Sequence, residues 1–203
     1  MKIAIIGATG LVGSRLTSEA LSRGHQVTAI ARGADALAAR PGLRAAALDY
    51  GDQATLAAAI EGQDAVLAAV KYHTADPAPI LAAVRRAGVP RFLAVGGAGS
   101  LQTPDGSDVV DSPDFPAPWK GEALAARDFL RTLRAQSDLD WTMVSPSAML
   151  QPGERTGRYR IGADQLLVDD QGNSSISVED LAKALIDELE TPQHARKRFT
   201  VGY

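Results

Sequence analysis

Three glycines near the start of the chain, Gly7, Gly10 and Gly13, have the spacing of a phosphate-binding turn. They follow a short apolar run and precede a helical pattern, so the turn would join a strand to a helix. The first glycine permits a tight turn, the second lets the backbone approach a pyrophosphate, and the third lets the helix pack closely. Free amides and the helix dipole favour anionic phosphate at this position. The pattern predicts a dinucleotide site, and a glycine turn without a ligand is the alternative.

Arg32 bears on which dinucleotide would bind. Many NAD-binding proteins carry an acidic residue about 20 residues beyond the glycine turn, where it holds the ribose hydroxyls. This chain instead has Ala31-Arg32-Gly33 after its second apolar run. A guanidinium can hold a 2′-phosphate through its planar fork of donors. We therefore expect NADPH as the cofactor, with NADH as the alternative if Arg32 is only a solvated residue.

Asp49 follows the third predicted strand and allows two interpretations. Its carboxylate could accept a hydrogen bond from the adenine amino group of the dinucleotide. It could equally cap the next helix, for which Asp52 is also a plausible N-cap.

Candidates for chemistry on a substrate lie in loops after later strands, where ligands bind in open α/β sheets. Tyr72 could stack on a planar substrate, and His73 could donate a proton near neutral pH. Ser100 could hydrogen-bond a substrate carbonyl, and Trp119 could close the site. The alternatives are a surface loop for His73, a turn residue for Ser100 and a helix-start staple for Trp119. His, Asp and Glu nowhere have the spacing of metal ligands, so we expect no metal.

Alternating strand and helix patterns would position these residues. Strands are predicted at 2–6, 26–31, 43–48, 65–70, 91–95, 141–145, 159–161, 166–168 and 199–201, and helices at 14–23, 35–39, 53–59, 79–87, 120–136 and 178–189. Residues 101–118, rich in Pro, Asp, Gly and Ser, are predicted to form a long loop. The alternation indicates an α/β fold, a Rossmann-type doubly wound parallel sheet with a small C-terminal α/β extension. We expect one NAD(P)-binding domain over 1–203, with 146–203 as a smaller substrate-side lobe.

Composition limits the possible partners. The chain has 203 residues, a formal net charge of −3 and no cysteine. This charge gives no basic surface for nucleic acid or for an anionic membrane, and no apolar stretch reaches the roughly 20 residues of a membrane span. No leader pattern is recognisable at the start. We expect a cytoplasmic protein, monomeric or homodimeric, whose partner is a small planar molecule.

Five segments together resemble the short-chain dehydrogenase/reductase superfamily: MKIAIIGATGLVGSRL, HQVTAIAR, AALDYGD, FLAVGGAGSL and LDWTMVSPSAML. More narrowly, they are similar to its atypical branch of small NAD(P)H-binding proteins known as the NADH-flavin reductase-like group. Biliverdin reductase B and the NmrA-like proteins are relatives of that group. The resemblance covers nearly the whole chain.

The resemblance implies roles for further residues. Gly7, Thr9, Gly10, Leu11 and Val12 would contact the pyrophosphate, with Gly13 packing behind them. Arg32 would meet the 2′-phosphate, and Asp49 with Tyr50 the adenine. The ribose and nicotinamide would be lined by Ala68, Ala69, Val70, Gly96, Gly97, Pro146, Ser147, Ala148 and Met149.

One departure from the superfamily affects the expected reaction. Its usual catalytic pair, Tyr-x-x-x-Lys, is missing, and by register Pro118 and Glu122 occupy the two positions. Alcohol oxidation and sugar epimerisation both need that pair, so an epimerase or dehydratase is disfavoured. A flavin such as FMN or FAD, a quinone or a bilin can accept hydride without a strong protein acid. We therefore expect a reductase of a planar conjugated acceptor, with a nucleotide-sensing protein without turnover, as among NmrA-like regulators, as the alternative.

Overall fold

The described residues form ten strands and five helices, which alternate in the first two thirds of the chain. The computed structural model describes residues 1–74 and 76–203. The strands are β1 (Lys2–Ile6), β2 (Gln26–Ala31), β3 (Leu43–Ala47), β4 (Ala65–Ala68), β5 (Arg91–Val95), β6 (Asp140–Pro146), β7 (Met149–Gln151), β8 (Arg160–Gly162), β9 (Ser175–Ser177) and β10 (Lys197–Gly202). The helices are α1 (Leu11–Ser22), α2 (Gln53–Ile60), α3 (Ala78–Arg86), α4 (Ala117–Arg134) and α5 (Val178–Glu190).

The main sheet has the strand order β3-β2-β1-β4-β5-β6-β10-β8. Neighbouring strands are parallel from β3 to β10, and β8 is antiparallel to β10. The chain builds outwards from β1 to β3 and then returns to place β4 on the other side of β1. This reversal makes a topological switch point between β1 and β4, where ligands bind in open α/β sheets. The predicted Rossmann-type α/β fold is confirmed.

Both faces of the sheet are covered by helices. On one face α2, α3 and α4 bury Leu56, Ile80 and Phe129, and on the other α1 and α5 bury Leu16 and Leu185. Strand β1 serves both layers because successive side chains alternate between faces: Ala4 and Ile6 point to the first layer, Ile3 and Ile5 to the second. A strand buried on both sides has an unbroken apolar sequence.

The C-terminal part differs most from the sequence prediction. β7 and β9 pair with each other in a small parallel sheet that the sequence did not indicate. The strand predicted at 166–168 is wrong: these residues belong to neither helix nor strand, and the Leu166 amide donates to the carbonyl of Gln102 at 2.9 Å. β10 lies inside the main sheet, between β6 and β8.

Some predicted boundaries shift by a turn. The helix predicted at 35–39 is a 3-10 turn, Ala34–Ala36. The predicted loop 101–118 contains a 3-10 turn, Val109–Asp111, whose Val110 is buried. α1 and α4 each begin three residues earlier than predicted, because glycine and proline are well accommodated at a helix start. Within the described residues, no helix combines the length and apolarity needed to cross a membrane.

Candidate functional site

A cleft of about 550 Å³ opens at the switch point, at the carboxyl ends of β1 to β4. It lies between the loops that follow β1 and β4, which lead to helices on opposite faces of the sheet. Its walls bring together Gly7, Thr9, Gly10, Ala31, Arg32, Gly33, Leu48, Asp49, Tyr50, Ala69, Val70, Lys71 and Thr74. Eight of the residues expected to bind the dinucleotide therefore share one surface, although they come from four separate segments of the chain.

The glycine turn is packed too tightly for side chains. Gly7 has φ +81°, and a Cβ on it would lie 2.2 Å from the carbonyl oxygen of Ala69. A Cβ on Gly13 would lie 2.1 Å from the carbonyl oxygen of Gly7. The first turn of α1 can thus approach the end of β1 closely only because both residues lack a side chain.

Among the described residues, no side chain caps the amino terminus of α1. Gly10 is the N-cap and supplies no side chain to accept from the first amides, and the first turn contains no acidic residue. The first amides of a helix have no carbonyl within the helix to donate to. The helix dipole adds partial positive charge at the same place. The residues present here fit a diphosphate, which would accept hydrogen bonds from these amides.

Arg32 and Tyr50 line the same cleft as the glycine turn. Arg32 is exposed, and no carboxylate in the described part of the chain forms an ion pair with it. Tyr50 is half-buried; burial and the charge of Asp49 raise the pKa of its phenol, and the positive charge of Arg32 opposes that shift. The phenol is therefore a neutral hydrogen-bonding group beside a free guanidinium.

Asp49 does not cap α2. One of its oxygens accepts from the Gly51 amide at 2.9 Å, which closes a short turn. The N-cap is Asp52, whose carboxylate accepts from the amides of Ala54 and Thr55, each at 3.1 Å. Asp49 lies on the cleft wall; the helix-cap interpretation is wrong, and the adenine interpretation stays a prediction.

The other expected cofactor residues lie outside these walls. Ala68 is fully buried in β4. On α1, Val12 packs against the core beneath the helix and Leu11 is exposed. Gly96 and Gly97 follow β5; a Cβ on Gly96 would lie 2.7 Å from the sulfur of Met143.

Pro146 is the last residue of β6, Met149 is the first of β7, and Ser147 and Ala148 connect the two strands. The Ser147 hydroxyl is buried and donates to the carbonyl of Val201 at 2.9 Å, while Ala148 and Met149 are exposed and Pro146 ends the strand. These residues are not among those that line the cleft at the switch point, and their expected contact with the nicotinamide stays a prediction.

The expected stacking role of Tyr72 does not fit its position. Its side chain is buried, its hydroxyl donates to the carbonyl of Val95 at 2.7 Å, and its ring centre lies 4.9 Å from that of Phe129. Burial raises the pKa of this phenol, and the nearby Glu122 raises it further. Tyr72 is therefore a core residue that anchors the loop after β4, and its ring is not available to stack on a substrate.

Ser100 is also directed inwards. It is buried, donates to the carbonyl of Gly97 at 2.9 Å, and its oxygen lies 3.2 Å from the hydroxyl oxygen of Ser145. The expectation that Ser100 holds a substrate carbonyl does not fit this placement, and the turn interpretation does.

His73 is partly exposed between two cleft residues, Lys71 and Thr74. Its Nδ1 contacts the carboxylate of Glu122, which also accepts from the amides of Tyr72 at 3.0 Å and His73 at 3.1 Å. The sequence identifies Glu122 only as the residue in the lysine position of the superfamily pair and does not predict its contact with the loop. Trp119, one helical turn earlier on α4, is 67% exposed, which rules out the buried staple.

Comparisons with known proteins agree with this architecture. A curated Bacillus subtilis protein, YwnB, is 36% identical and covers 99% of this chain and 98% of its own length. Three solved structures each cover the whole chain. A candidate exported protein from Burkholderia pseudomallei has 45% identity, TM-score 0.90 and 100% of its own length covered. A candidate epimerase from Bacteroides thetaiotaomicron has 43% identity, TM-score 0.95 and 96% of its own length covered. A candidate NADH-flavin reductase from Streptococcus pneumoniae has 35% identity, TM-score 0.85 and 99% of its own length covered.

The family model for NAD(P)H-binding proteins matches residues 7–192, which include the glycine turn, every wall of the cleft and helix α5. The match, together with the uncapped amino terminus of α1 at the switch point, shows that this chain belongs to the NAD(P)H-binding family of Rossmann-fold proteins.

Proposed function

We propose that this protein is an NADPH-dependent reductase that passes hydride to a planar conjugated acceptor such as FMN or FAD. One observation carries the cofactor half of this proposal: the glycine turn lines the same cleft as Arg32, which has no ion pair among the described residues. The turn would receive the diphosphate, and the guanidinium would receive a 2′-phosphate by charge-assisted hydrogen bonds. NADH lacks that phosphate and is the second choice.

The acceptor half rests on the missing proton-transfer pair. Pro118 and Glu122 lie in the first turns of α4 where the superfamily has tyrosine and lysine. Without a phenol and an ammonium at these positions, the site lacks the usual base for removing a proton from an alcohol or a sugar carbon. A conjugated ring can accept hydride without a strong acid or base from the protein, and the bound dinucleotide would supply that hydride. The name of the Streptococcus pneumoniae relative agrees with this proposal, and the name of the Bacteroides thetaiotaomicron relative favours the epimerase alternative.

In this proposal the chain's residues bind and orient the reactants. The amides at the start of α1 hold the diphosphate, Asp49 and Tyr50 contact the adenine, and the loops after β5 and β6 lie beside the nicotinamide. Holding two reactants in a fixed geometry supplies much of the rate of such a transfer. Trp119 offers an exposed aromatic surface at the start of α4 for a planar acceptor.

A nucleotide-sensing protein without turnover is the second candidate. The burial of Tyr72 and Ser100 favours it, because two of the three side chains expected to act on a substrate are held in the interior. Such a protein would bind NADPH and transmit the binding to another molecule.

A turnover assay separates the two candidates. Purified protein is mixed with NADPH and FMN, FAD, a quinone or a bilin, and absorbance at the nicotinamide band is followed. We expect oxidation at a rate proportional to protein concentration with at least one flavin. Tight NADPH binding without oxidation by any of these acceptors would contradict the reductase and support the sensor.

We further propose that the protein acts in the cytoplasm as a monomer or homodimer, with no nucleic-acid or membrane partner. The net charge of −3 and the need for an NADPH supply support this. Because the Burkholderia pseudomallei relative is named as exported, cell fractionation is the test, and recovery outside the cytoplasm would contradict the proposal.

A further inference from the structure

A single carboxylate joins helix α4 to the loop that follows β4. Glu122 accepts from the backbone amides of Tyr72 and His73, at 3.0 and 3.1 Å, and also contacts the His73 ring at Nδ1. Glu122 lies some fifty residues after the loop in sequence. The three contacts fix both the backbone and the ring of His73 against α4.

The carboxylate also determines which ring nitrogen of His73 carries the proton. An ionised carboxylate can only accept hydrogen bonds, so Nδ1 must donate to it. In the neutral ring the proton is then on Nδ1, and Nε2 is free to exchange a proton with another molecule. Within residues 1–74 and 76–203, Nε2 has no hydrogen-bond partner, and the side chain is 44% exposed.

The loop itself is rigidly supported below His73. The Tyr72 ring is buried against Phe129, and its hydroxyl is held by the carbonyl of Val95. On either side of His73 the chain reaches the cleft surface at Lys71 and Thr74. His73 is thus held at the rim of the cleft, between a buried anchor and a carboxylate.

We propose that His73 donates the proton that accompanies hydride transfer, and that Glu122 is the positioning residue that aims its Nε2. This inference rests on the proposed reductase function. The Nε2–H bond of the protonated ring breaks, and its proton bonds to a nitrogen or oxygen of the acceptor. The acceptor also takes the hydride, with its two electrons, from the dihydronicotinamide, so the acceptor is reduced and NADPH is oxidised to NADP⁺. His73 is left neutral with its proton on Nδ1, and water returns the proton to Nε2.

Nitrogen-15 NMR of the ligand-free protein tests the positioning without any turnover. The chain has three histidines, and His25 and His194 provide internal references. We expect the neutral His73 ring to carry its proton on Nδ1, and Glu122→Gln to change the His73 signals alone. Glu61→Gln, which removes a charge from an exposed residue, is the matched control and should change none. A proton on Nε2 in the wild type, or His73 signals unaffected by Glu122→Gln, would overturn the assignment.

Steady-state kinetics tests the proton transfer. His73→Gln should lower kcat by about 10²-fold, the typical contribution of a general acid, while the Kd for NADPH is unchanged. Glu122→Gln should lower kcat by about 10-fold, as loss of a carboxylate partner to a functional histidine does. In the double variant the rate should fall no further than in His73→Gln, because Glu122 acts through His73. Thermal unfolding checks that each variant is folded, and Glu122→Asp, which keeps a carboxylate, should recover part of the lost rate.

The outcomes distinguish this inference from the proposed function. Wild-type turnover with an undiminished kcat in His73→Gln would overturn the inference and leave the reductase intact. A second full loss when Glu122→Gln is added to His73→Gln would show that Glu122 acts independently and would overturn its positioning role. If the wild type oxidises NADPH with none of the acceptors tested, the reductase is contradicted, and the proposed proton transfer is contradicted with it.

Discussion

Arg32 differs from other arginines of this chain in its surroundings. Arg23, Arg91 and Arg127 are each held by two or more carboxylates and are largely buried. Arg32 is exposed at the cleft, beside the half-buried Tyr50 and without an ion pair among the described residues. An arginine without an ion pair in the protein can bind an anionic ligand without first breaking a salt bridge.

Replacement of this guanidinium should separate the two pyridine nucleotides. Arg32→Ala should raise the Kd for NADPH by about 10- to 100-fold, the equivalent of one or two charge-assisted hydrogen bonds. The Kd for NADH should change little, because NADH has no 2′-phosphate. Fluorescence titration measures both constants, and Arg40→Ala, at an exposed arginine outside the cleft walls, controls for loss of charge. Equal weakening of both nucleotides would reject the phosphate role.

At the residue scale, the sequence predicts a site residue well where that residue type has few possible roles at its position. The glycine spacing and a basic residue after β2 have specific physical meanings, and Gly7, Gly10 and Arg32 all line the cleft. Tyr72 and Ser100 could not be predicted, because a polar side chain in a loop looks the same in sequence whether it points outwards or inwards. Glu122 was missed because its partners are about fifty residues away and the contact exists only after the sheet has formed.

Among the elements, residues 152–158 are held as a strap against α5. The carboxylate of Asp180, in the first turn of α5 and fully buried, accepts from the Thr156 hydroxyl at 2.5 Å, the Gly157 amide at 2.8 Å and the Tyr203 hydroxyl at 2.8 Å. The strap has no regular hydrogen bonds of its own. Asp180 supplies three that replace them, beside those of Glu179, which accepts from the Gly153 amide at 2.9 Å, and Ser177, which donates to the carbonyl of Glu154 at 2.9 Å. The negative charge of Asp180 also suits the amino terminus of the helix.

Asp180→Asn should destabilise the protein by about 3 kcal/mol, since an amide turns a donor towards groups that need an acceptor and the remaining hydrogen bonds lose their charge assistance. Urea unfolding at neutral pH measures this loss. Asp170→Asn, in an exposed turn, is the control and should change the unfolding free energy little. A stability equal to that of the wild type would show that the strap is held by other contacts.

The same substitution should have a pH-dependent effect. Burial raises the pKa of Asp180, but the hydrogen bonds from Thr156, Gly157 and Tyr203 outweigh it, so the pKa lies below its ordinary value of 3.8. A carboxyl with a depressed pKa stabilises the fold fully above the unfolded value, and this stabilisation is lost as pH falls through the folded value. The difference between wild type and Asp180→Asn should therefore be constant near neutrality and shrink below about pH 4.

Elements with a strong local pattern were predicted and the others were not. β1, β2 and β5 have the predicted bounds because each is an apolar run buried on both faces and ended by a turn. β7 and β9 have three residues each and pair only with one another, so their existence depends on a contact across 26 residues that no local pattern records. The false strand at 166–168 has a strand-like composition, but only one isolated bridge forms near it, at Gln165.

For the molecule as a whole, the cleft lies where the order of strand addition reverses: β2 and β3 are added on one side of β1, and β4 and later strands on the other. α1 leaves β1 towards one face, the segment after β4 leaves towards the other, and β2 and β3 provide the far wall. A ligand in this cleft therefore touches four segments that are far apart in the sequence. Its binding energy should appear as stability of the entire fold, because the unfolded chain has no such site.

NADPH should accordingly raise the melting temperature. At a concentration of about 100 times Kd the stabilisation is about 2.7 kcal/mol, which for a chain of this length corresponds to a shift of about 5–10 °C.

Adenosine 2′,5′-bisphosphate should reproduce much of the shift, because Arg32, Asp49 and Tyr50 are proposed to bind the adenosine half of the cofactor, whereas nicotinamide mononucleotide should produce little. At equal concentration NADH should stabilise less than NADPH, and Arg32→Ala should remove that difference while the unliganded melting temperature stays the same. Differential scanning fluorimetry measures all of these shifts, and no shift with any of the four nucleotides would mean that the cleft does not bind the cofactor.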